Sequence, residues 1–282
     1  STFFRHKVNS KIYRVKLTSG RFIDLTAYHS VFTLSNGKVV SIPTSDIKIN
    51  TPSIVPRNSW APSNFIEEIN LIEELLLLES SLTTKINIYG INNILNDTLI
   101  NQLKSLLPKN RWYRIHDFKR FNYIPLNILK NLTVNISLLN ETKLGESLSR
   151  HKIPSILKVD HNLAEILGIY ASEGSMLKSL TRLHFSFGSH EKDIIYYFVD
   201  IFEKVFRFSP KIKKAHSSAY NLVANSTILC FIFKNIFNVG NYAKSKKIPS
   251  FVFNFRNDIK YSFLISYLVG DGHPSKELFR LL

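Results

Sequence analysis

Two segments of this chain, about one hundred residues apart, repeat one another. The first is Ile166-Leu167-Gly168-Ile169-Tyr170-Ala171-Ser172-Glu173-Gly174, and the second is Leu264-Ile265-Ser266-Tyr267-Leu268-Val269-Gly270-Asp271-Gly272. Each is an apolar run with small residues four apart, closed by an acid and a glycine. Their approaches match as well, Lys152-Ile153-Pro154-Ser155 before one and Lys247-Ile248-Pro249-Ser250 before the other. Such a duplication implies two copies of one structural unit. Leu163, Ile166, Leu167 and Tyr170 fall at i, i+3, i+4 and i+7, the apolar stripe of a helix. Gly168 and Ser172 stand one turn apart, as do Ser266 and Gly270, so two such helices can cross with their backbones close. That crossing would bring Glu173 and Asp271 together at the helix C-termini. The macrodipole is negative there and two carboxylates repel each other. A hard divalent cation held by carboxylate, water and phosphate oxygens would relieve both problems. A glycine after each acid suits a helix C-terminus.

This pair of segments resembles the LAGLIDADG, or dodecapeptide, homing endonucleases. In that family two such helices form the interface between subdomains and their terminal acids bind Mg²⁺. The resemblance implies that Glu173 and Asp271 are catalytic, metal-binding acids, and that Gly168, Ser172, Ser266 and Gly270 form the helix interface. It also implies metal-assisted phosphodiester hydrolysis of DNA. Without it, the residues alone admit two unrelated core helices that end in an acid and a glycine.

The N-terminal stretch reads differently. Tyr13, Val15 and Leu17 alternate with Arg14, Lys16 and Thr18, which predicts a half-buried strand. Ser19-Gly20 is a turn, and a second strand starts at Phe22. Val31 to Leu34 and Lys38 to Ile42 flank Asn36-Gly37, a strong hairpin signal. The run Gly20 to Phe32 contains Thr26-Ala27-Tyr28-His29, which is similar to the Thr-x-x-His block of intein splicing (Hint) domains. Continued to Val55-Pro56-Arg57, it looks most like the inteins of archaeal DNA polymerases. The resemblance implies that Thr26 and His29 polarise an upstream scissile peptide for attack by a Cys or Ser nucleophile. Read alone, a histidine in a surface turn explains the same residues. Two departures stand out. Ser1 begins no recognisable nucleophile block, and no terminal His-Asn pair is present, so these residues are not expected to splice by themselves.

Charge points to the partner. The chain has 37 Lys plus Arg against 21 Asp plus Glu, a formal net charge of +16 in 282 residues. Such an excess attracts polyanions. A membrane is the competing partner, but no apolar stretch reaches spanning length and no signal-peptide pattern opens the chain. One cysteine, Cys230 between Leu229 and Phe231, excludes an internal disulfide and reads as a core residue. These features predict a cytoplasmic, monomeric DNA-binding protein. The start at Ser1 and the end ten residues after the second repeat suggest a piece of something longer.

Between these landmarks, Ile66 to Leu78 reads as an amphipathic acidic helix and Asp97 to Leu107 as a second, capped by Asn96 or Asp97 and stopped by Pro108. From Arg111 to Tyr123 cations alternate with aromatics. Arg111, Arg114, Lys119 and Arg120 are DNA-binding candidates there, although an ordinary helix with a buried aromatic face would read alike. The polymerase inteins carry a helical DNA-recognition domain nearby. Asn127 to Glu146 is polar and reads as a linker. Thr181 to Phe187 alternates Leu183, Phe185 and Phe187 against Arg182, His184 and Ser186, a strand with one buried face. A helix follows from Glu191 to Phe206, then a Lys211-Ile212-Lys213-Lys214 run and a strand from Tyr220 to Ala224. Arg182, His184, Lys211 and Lys213 are candidates to line a saddle along the major groove, and a solvated face would look similar. The family usually places a lysine after the last strand of this half, where this chain has Asn225-Ser226-Thr227.

The expected fold class is α+β and multidomain. Residues 1–58 would be a β-rich partial Hint domain and 59–149 a helical linker and DNA-recognition domain. Residues 150–282 would be the endonuclease, ordered helix, two strands, helix, two strands, helix, and cut short after the second repeat helix. The expected activity is Mg²⁺-dependent cleavage of double-stranded DNA within a self-splicing element, with a DNA polymerase as host protein. The alternative is a degenerate intein whose nuclease half only binds DNA while splicing is the parent's function.

Overall fold

The structure, a computed structural model, describes residues 9–54, 65–147, 149, 151–216 and 218–271, without the side chains of Leu82 and Asp271. Ser1, Val55-Pro56-Arg57, Arg150, Gly272 and the C-terminal residues to Leu282 lie outside the described residues. The chain divides into two compact units, Ser1–Ala61 and Pro62–Leu282.

In the first unit β1 (Ile12–Lys16) pairs antiparallel with β2 (Phe22–Thr26), and β3 (Ser30–Ser35) with β4 (Lys38–Pro43). Asn36 and Gly37 both take positive φ, 51° and 73°, as a two-residue hairpin turn with the strand-matching twist requires. Arg14 and Asp24, directly opposite each other, form a two-pronged ion pair at 2.7 and 2.8 Å. Among the described residues of this unit only Thr33 and Thr44 are buried, while Ile12, Phe22, Phe32, Leu34, Val39 and Ile49 are more than half exposed.

The second unit opens with β5 (Glu68–Asn70), α1 (Leu71–Leu77), α2 (Ser80–Thr83), β6 (Ile86–Tyr89), α3 (Asp97–Leu106), α4 (Tyr113–Arg120), β7 (Tyr123–Pro125), α5 (Leu126–Leu129), β8 (Lys143–Glu146), β9 (Ile153–Pro154) and β10 (Ile156–Lys158). The expected helix from Ile66 starts only at Leu71. Asn70 caps it by accepting from the amides of Ile72 and Glu73, and residues 68–70 instead pair with β10. Asn96 caps α3, accepting from the Leu99 amide at 2.9 Å, and Pro108 follows its end. The stretch 127–146 is not a linker. Leu129, Leu139 and Leu144 are buried, and β8 lies inside an antiparallel sheet ordered β7-β6-β8-β9. So this region, expected to be helical, also carries a sheet. Its strands are two to four residues long, too short for alternation to show.

The remainder is α6 (His161–Glu173), β11 (Gly174–Met176), β12 (Leu183–Gly188), α7 (Lys192–Phe206), β13 (Lys211–His216), β14 (Ala219–Ala224), α8 (Thr227–Asn235) and α9 (Asn257–Asp271). The four strands form one antiparallel sheet in the order β11-β12-β14-β13. Leu183, Phe185 and Phe187 enter the core, where an aromatic chain links sheet to helices: Tyr170–Phe185 at 5.9 Å between centroids, Phe185–Phe198 at 4.7 Å and Phe202–Phe206 at 4.8 Å. Offset and edge-on pairs of this kind add to the area they bury. Cys230 sits in this core. The fold is α+β with small antiparallel sheets. Among the described residues no helix is long and apolar enough to cross a membrane.

Candidate active site and nucleic-acid interface

Helices α6 and α9 lie side by side and point the same way. Their contacts run in step from His161 beside Asp258 and Ser262, through Gly168 beside Ser266, to Ser172 beside Gly270. Asp160 caps α6 by accepting from the Leu163 amide at 3.0 Å. At the same end His161 Nδ1 lies 2.8 Å from Ser262 Oγ and Nε2 lies 3.7 Å from Asp258.

The crossing works because its residues are small. A Cβ added to Gly168 would strike the Phe263 carbonyl and come within 3.0 Å of Ser266 Cβ. One added to Gly270 would strike Ser172 Oγ and lie 2.6 Å from Ser172 Cβ and 3.1 Å from Glu173 Cγ. The two serines satisfy themselves within their helices: Ser172 Oγ donates to the Ile169 carbonyl at 3.2 Å, and Ser266 Oγ to the Ser262 carbonyl at 2.8 Å. Neither therefore leaves an unpaired hydroxyl in the interface. Leu163, Ile166, Leu167 and Tyr170 are fully buried, as the apolar stripe predicts.

Glu173 thus stands next to the last turn of α9, which ends at Asp271. Two parallel helices place two negative dipole ends in one spot. Gly174, which follows Glu173, has an extended φ of −76°, so left-handed conformation is not why glycine stands there. Space is the reason, since a Cβ would lie 2.5 Å from the Tyr170 ring and carbonyl.

Lys246 is a residue that sequence reasoning missed. Its Nζ donates to the carbonyl of Ser172, one residue before Glu173. A tight loop delivers it: Gly240, with φ of 77°, lets the backbone pass close to Ser245, whose Oγ accepts from the amides of Asn241 and Tyr242 at 3.1 Å. The Tyr170 hydroxyl donates to the Gly240 carbonyl at 2.8 Å, tying the loop to α6. Its one signal in the sequence was a cation six residues after a Gly-Asn turn, which has no period to betray it. Asn225, in the Asn225-Ser226-Thr227 stretch where the resemblance would put a lysine, accepts from Arg182 Nε at 2.7 Å.

The other candidates fall into three places. Arg182, His184, Lys211 and Lys213 share one face of the sheet. Arg111, Arg114, Lys119 and Arg120 surround α4, with Arg114 over the Phe118 ring at 6.0 Å and Arg120 over Phe121 at 5.2 Å. Trp112, Tyr113 and Phe121 are exposed among them, so rings and cations do share this surface. Thr26 and His29 belong to the first unit. There the His29 amide donates to the Thr26 carbonyl at 3.1 Å, and the His29 carbonyl accepts from the Thr44 hydroxyl at 2.7 Å. His29 borders an apolar groove of about 320 Å³ lined by Val15, Phe22, Leu25, Val31 and Ile54. Among the described residues no three His, Cys, Asp or Glu side chains form a metal-sized cluster.

The chain matches no protein-family model. Its similarity to a DNA polymerase of Thermococcus aggregans extends over 334 residues at 27% identity, covering 97% of this chain and 18% of the polymerase. Nearly the whole chain is similar to part of archaeal DNA polymerases. An uncharacterised protein of Methanocaldococcus jannaschii is 29% identical over 275 residues, 94% of this chain and 29% of that protein. The replication factor C small subunit of the same organism is 24% identical over 293 residues, 100% of this chain and 12% of the subunit. The chain spans less than a third of the length of these curated relatives.

Proposed function

We propose that this chain is part of an intein that carries a LAGLIDADG-type homing endonuclease, which cuts double-stranded DNA with Mg²⁺. One observation carries the nuclease reading: α6 and α9 cross in parallel at Gly168/Ser266 and Ser172/Gly270, so Glu173 sits against the end of α9. Parallel pairing is what a shared cation site needs, because antiparallel helices would separate the two acids by the length of a helix.

The donor chemistry fits magnesium, which takes one or two carboxylates and completes its shell with water and phosphate oxygens. Glu173 and Asp271 would hold it. Bound there, the ion would supply Lewis-acid stabilisation and a more acidic water for phosphodiester hydrolysis. The protein's own part is positional and electrostatic. Lys246 brings a positive charge to the Ser172 carbonyl, where it offsets the converging helix ends and faces the region where phosphate charge would develop. The basic face of the sheet and the α4 surface would hold the duplex by its phosphates.

The insert reading draws on the relatives. Nearly full-length similarity to a minor part of a polymerase and of a replication factor, proteins with different tasks, suits a mobile segment better than a shared enzymatic domain. The first unit, whose described residues bury only Thr33 and Thr44, suits part of a splicing domain, with Thr26 and His29 acting on the upstream peptide. The absence of a lysine from Asn225-Ser226-Thr227 favours the non-cleaving alternative, and Lys246 answers it.

The test uses the full-length protein that contains this chain, with Mg²⁺ and DNA of an archaeal polymerase gene lacking the insert. Wild type should cut both strands. Cleavage no greater than that of a Glu173→Gln, Asp271→Asn double variant would reject the nuclease.

A further inference from the structure

At the end of α6 away from Glu173, roughly 18 Å along the helix axis, a cavity of about 280 Å³ opens. It lies between the start of α6, the end of α7 and strands β9 and β10. Its wall is apolar, formed by the half-buried Pro154, Ile156 and Val205. Three cations, Lys158, Lys204 and Arg207, stand around it, and against them the described lining sets a single carboxylate, Asp160.

The protein does not use these charges up. Asp160 is occupied as the cap of α6, where it accepts from the Leu163 amide at 3.0 Å. Lys204 pairs with Asp200 one turn back in α7, at 2.6 Å, and an ammonium keeps further donors beyond one partner. Lys158 and Arg207 make no ion pair among the described residues, although the strand register sets Glu68 opposite Lys158. Arg207 also sits where the backbone disfavours it. It caps α7 at a left-handed φ of 52°, the position at which glycine is the usual residue. Arginine there brings a guanidinium to the cavity at a conformational cost that glycine would avoid.

The lining sets the chemistry of the occupant. Converging cations suit an anion with several oxygens, and the guanidinium fork suits phosphate in particular. The apolar wall suits a flat group attached to that phosphate. The volume lies just under the usual range for drug-sized ligands, so the occupant is small. A duplex could put a whole nucleotide into such a cavity only by unstacking it first. We propose that this cavity binds a free mononucleotide, its phosphate held by Lys158, Lys204 and Arg207 and its base against Pro154, Ile156 and Val205. Asn162 adds a carboxamide to the lining, with both a donor and an acceptor for the base or the sugar.

The experiment is isothermal titration of AMP, adenosine and inorganic phosphate into the full-length protein that contains this chain, without divalent metal. AMP should bind saturably, adenosine should not bind, and phosphate should bind about tenfold more weakly than AMP. Arg207→Gly and Lys158→Met should each weaken AMP about tenfold, the scale of one charge-assisted hydrogen bond. Glycine suits the left-handed φ, so Arg207→Gly should keep its thermal midpoint, which separates lost binding from unfolding. Lys234→Met removes an exposed cation of α8 outside the cavity and should bind AMP as wild type does. The proposal is overturned if AMP gives no saturable heat, if Arg207→Gly binds it like wild type, or if Lys234→Met loses as much. Phosphate as tight as AMP would overturn the nucleotide in favour of a bare anion. Duplex affinity that falls with Arg207→Gly as far as AMP affinity would assign these cations to the DNA backbone and overturn the free ligand. Cleavage at the Glu173 and Asp271 end is measured separately, so the nuclease reading stands or falls apart from this site.

Discussion

At Gly168 two effects of a methyl group oppose each other. Alanine favours a helix over glycine by about 1 kcal/mol, but here its Cβ would meet the backbone carbonyl of Phe263. Backbone cannot swing aside as a side-chain tip can, and overpacking costs about 1–3 kcal/mol. Gly168→Ala should therefore destabilise the chain in urea unfolding, against its helix propensity. An unchanged or raised midpoint would show that the helices are not in contact there. Cys230 offers a second residue-scale check. Burial pushes its thiol up to about 12, so a thiol reagent at pH 8 should modify it only as fast as the chain unfolds. Lys246→Met should lower the cleavage rate about a hundredfold, the scale of one lost charge-stabilising donor, with duplex affinity nearly unchanged in a gel-shift assay. Little in the sequence marks Lys246. Its partner Ser172 lies 74 positions away, and only a folded loop makes them neighbours.

At the scale of elements, strand β12 carries a pH signature. Burial first, then the charges of Arg182 and Lys213, hold His184 below its ordinary pKa in the folded chain, so between that ordinary value and the folded one the unfolded chain binds a proton that the folded chain refuses. This contribution to stability is present above about pH 6.5 and is lost as pH falls through the folded value. The thermal midpoint of wild type should therefore fall more steeply between pH 7 and 5 than that of His184→Asn, and parallel slopes would contradict the burial of Nε2. Long elements were legible in advance. The stripe of α6 and the alternation of β12 bury the residues they indicate, because each spans several periods. The sheet containing β8 was not legible. Its strands are too short for alternation, and Asn127 to Glu146 hides three core leucines among polar residues.

For the whole molecule, the contrast between the units is energetic. The described residues of the second unit enclose a continuous apolar core, whereas those of the first unit bury two threonines. A chain beginning at Pro62 should keep a cooperative thermal transition within about 4 °C of the full chain, a shift that corresponds to roughly 1–2 kcal/mol in a domain of this size. A larger drop would mean that the first unit stabilises the second. The repeated helices, the basic excess, the β-hairpins and the aromatic core could all be read from residue types and spacing, since each is a local pattern. Tertiary structure alone decided that Lys246 reaches the end of α6 and that the Nε2 atom of His184 lies sealed without a hydrogen-bond partner. Those facts join residues far apart in the chain, and no local period encodes a distance between them.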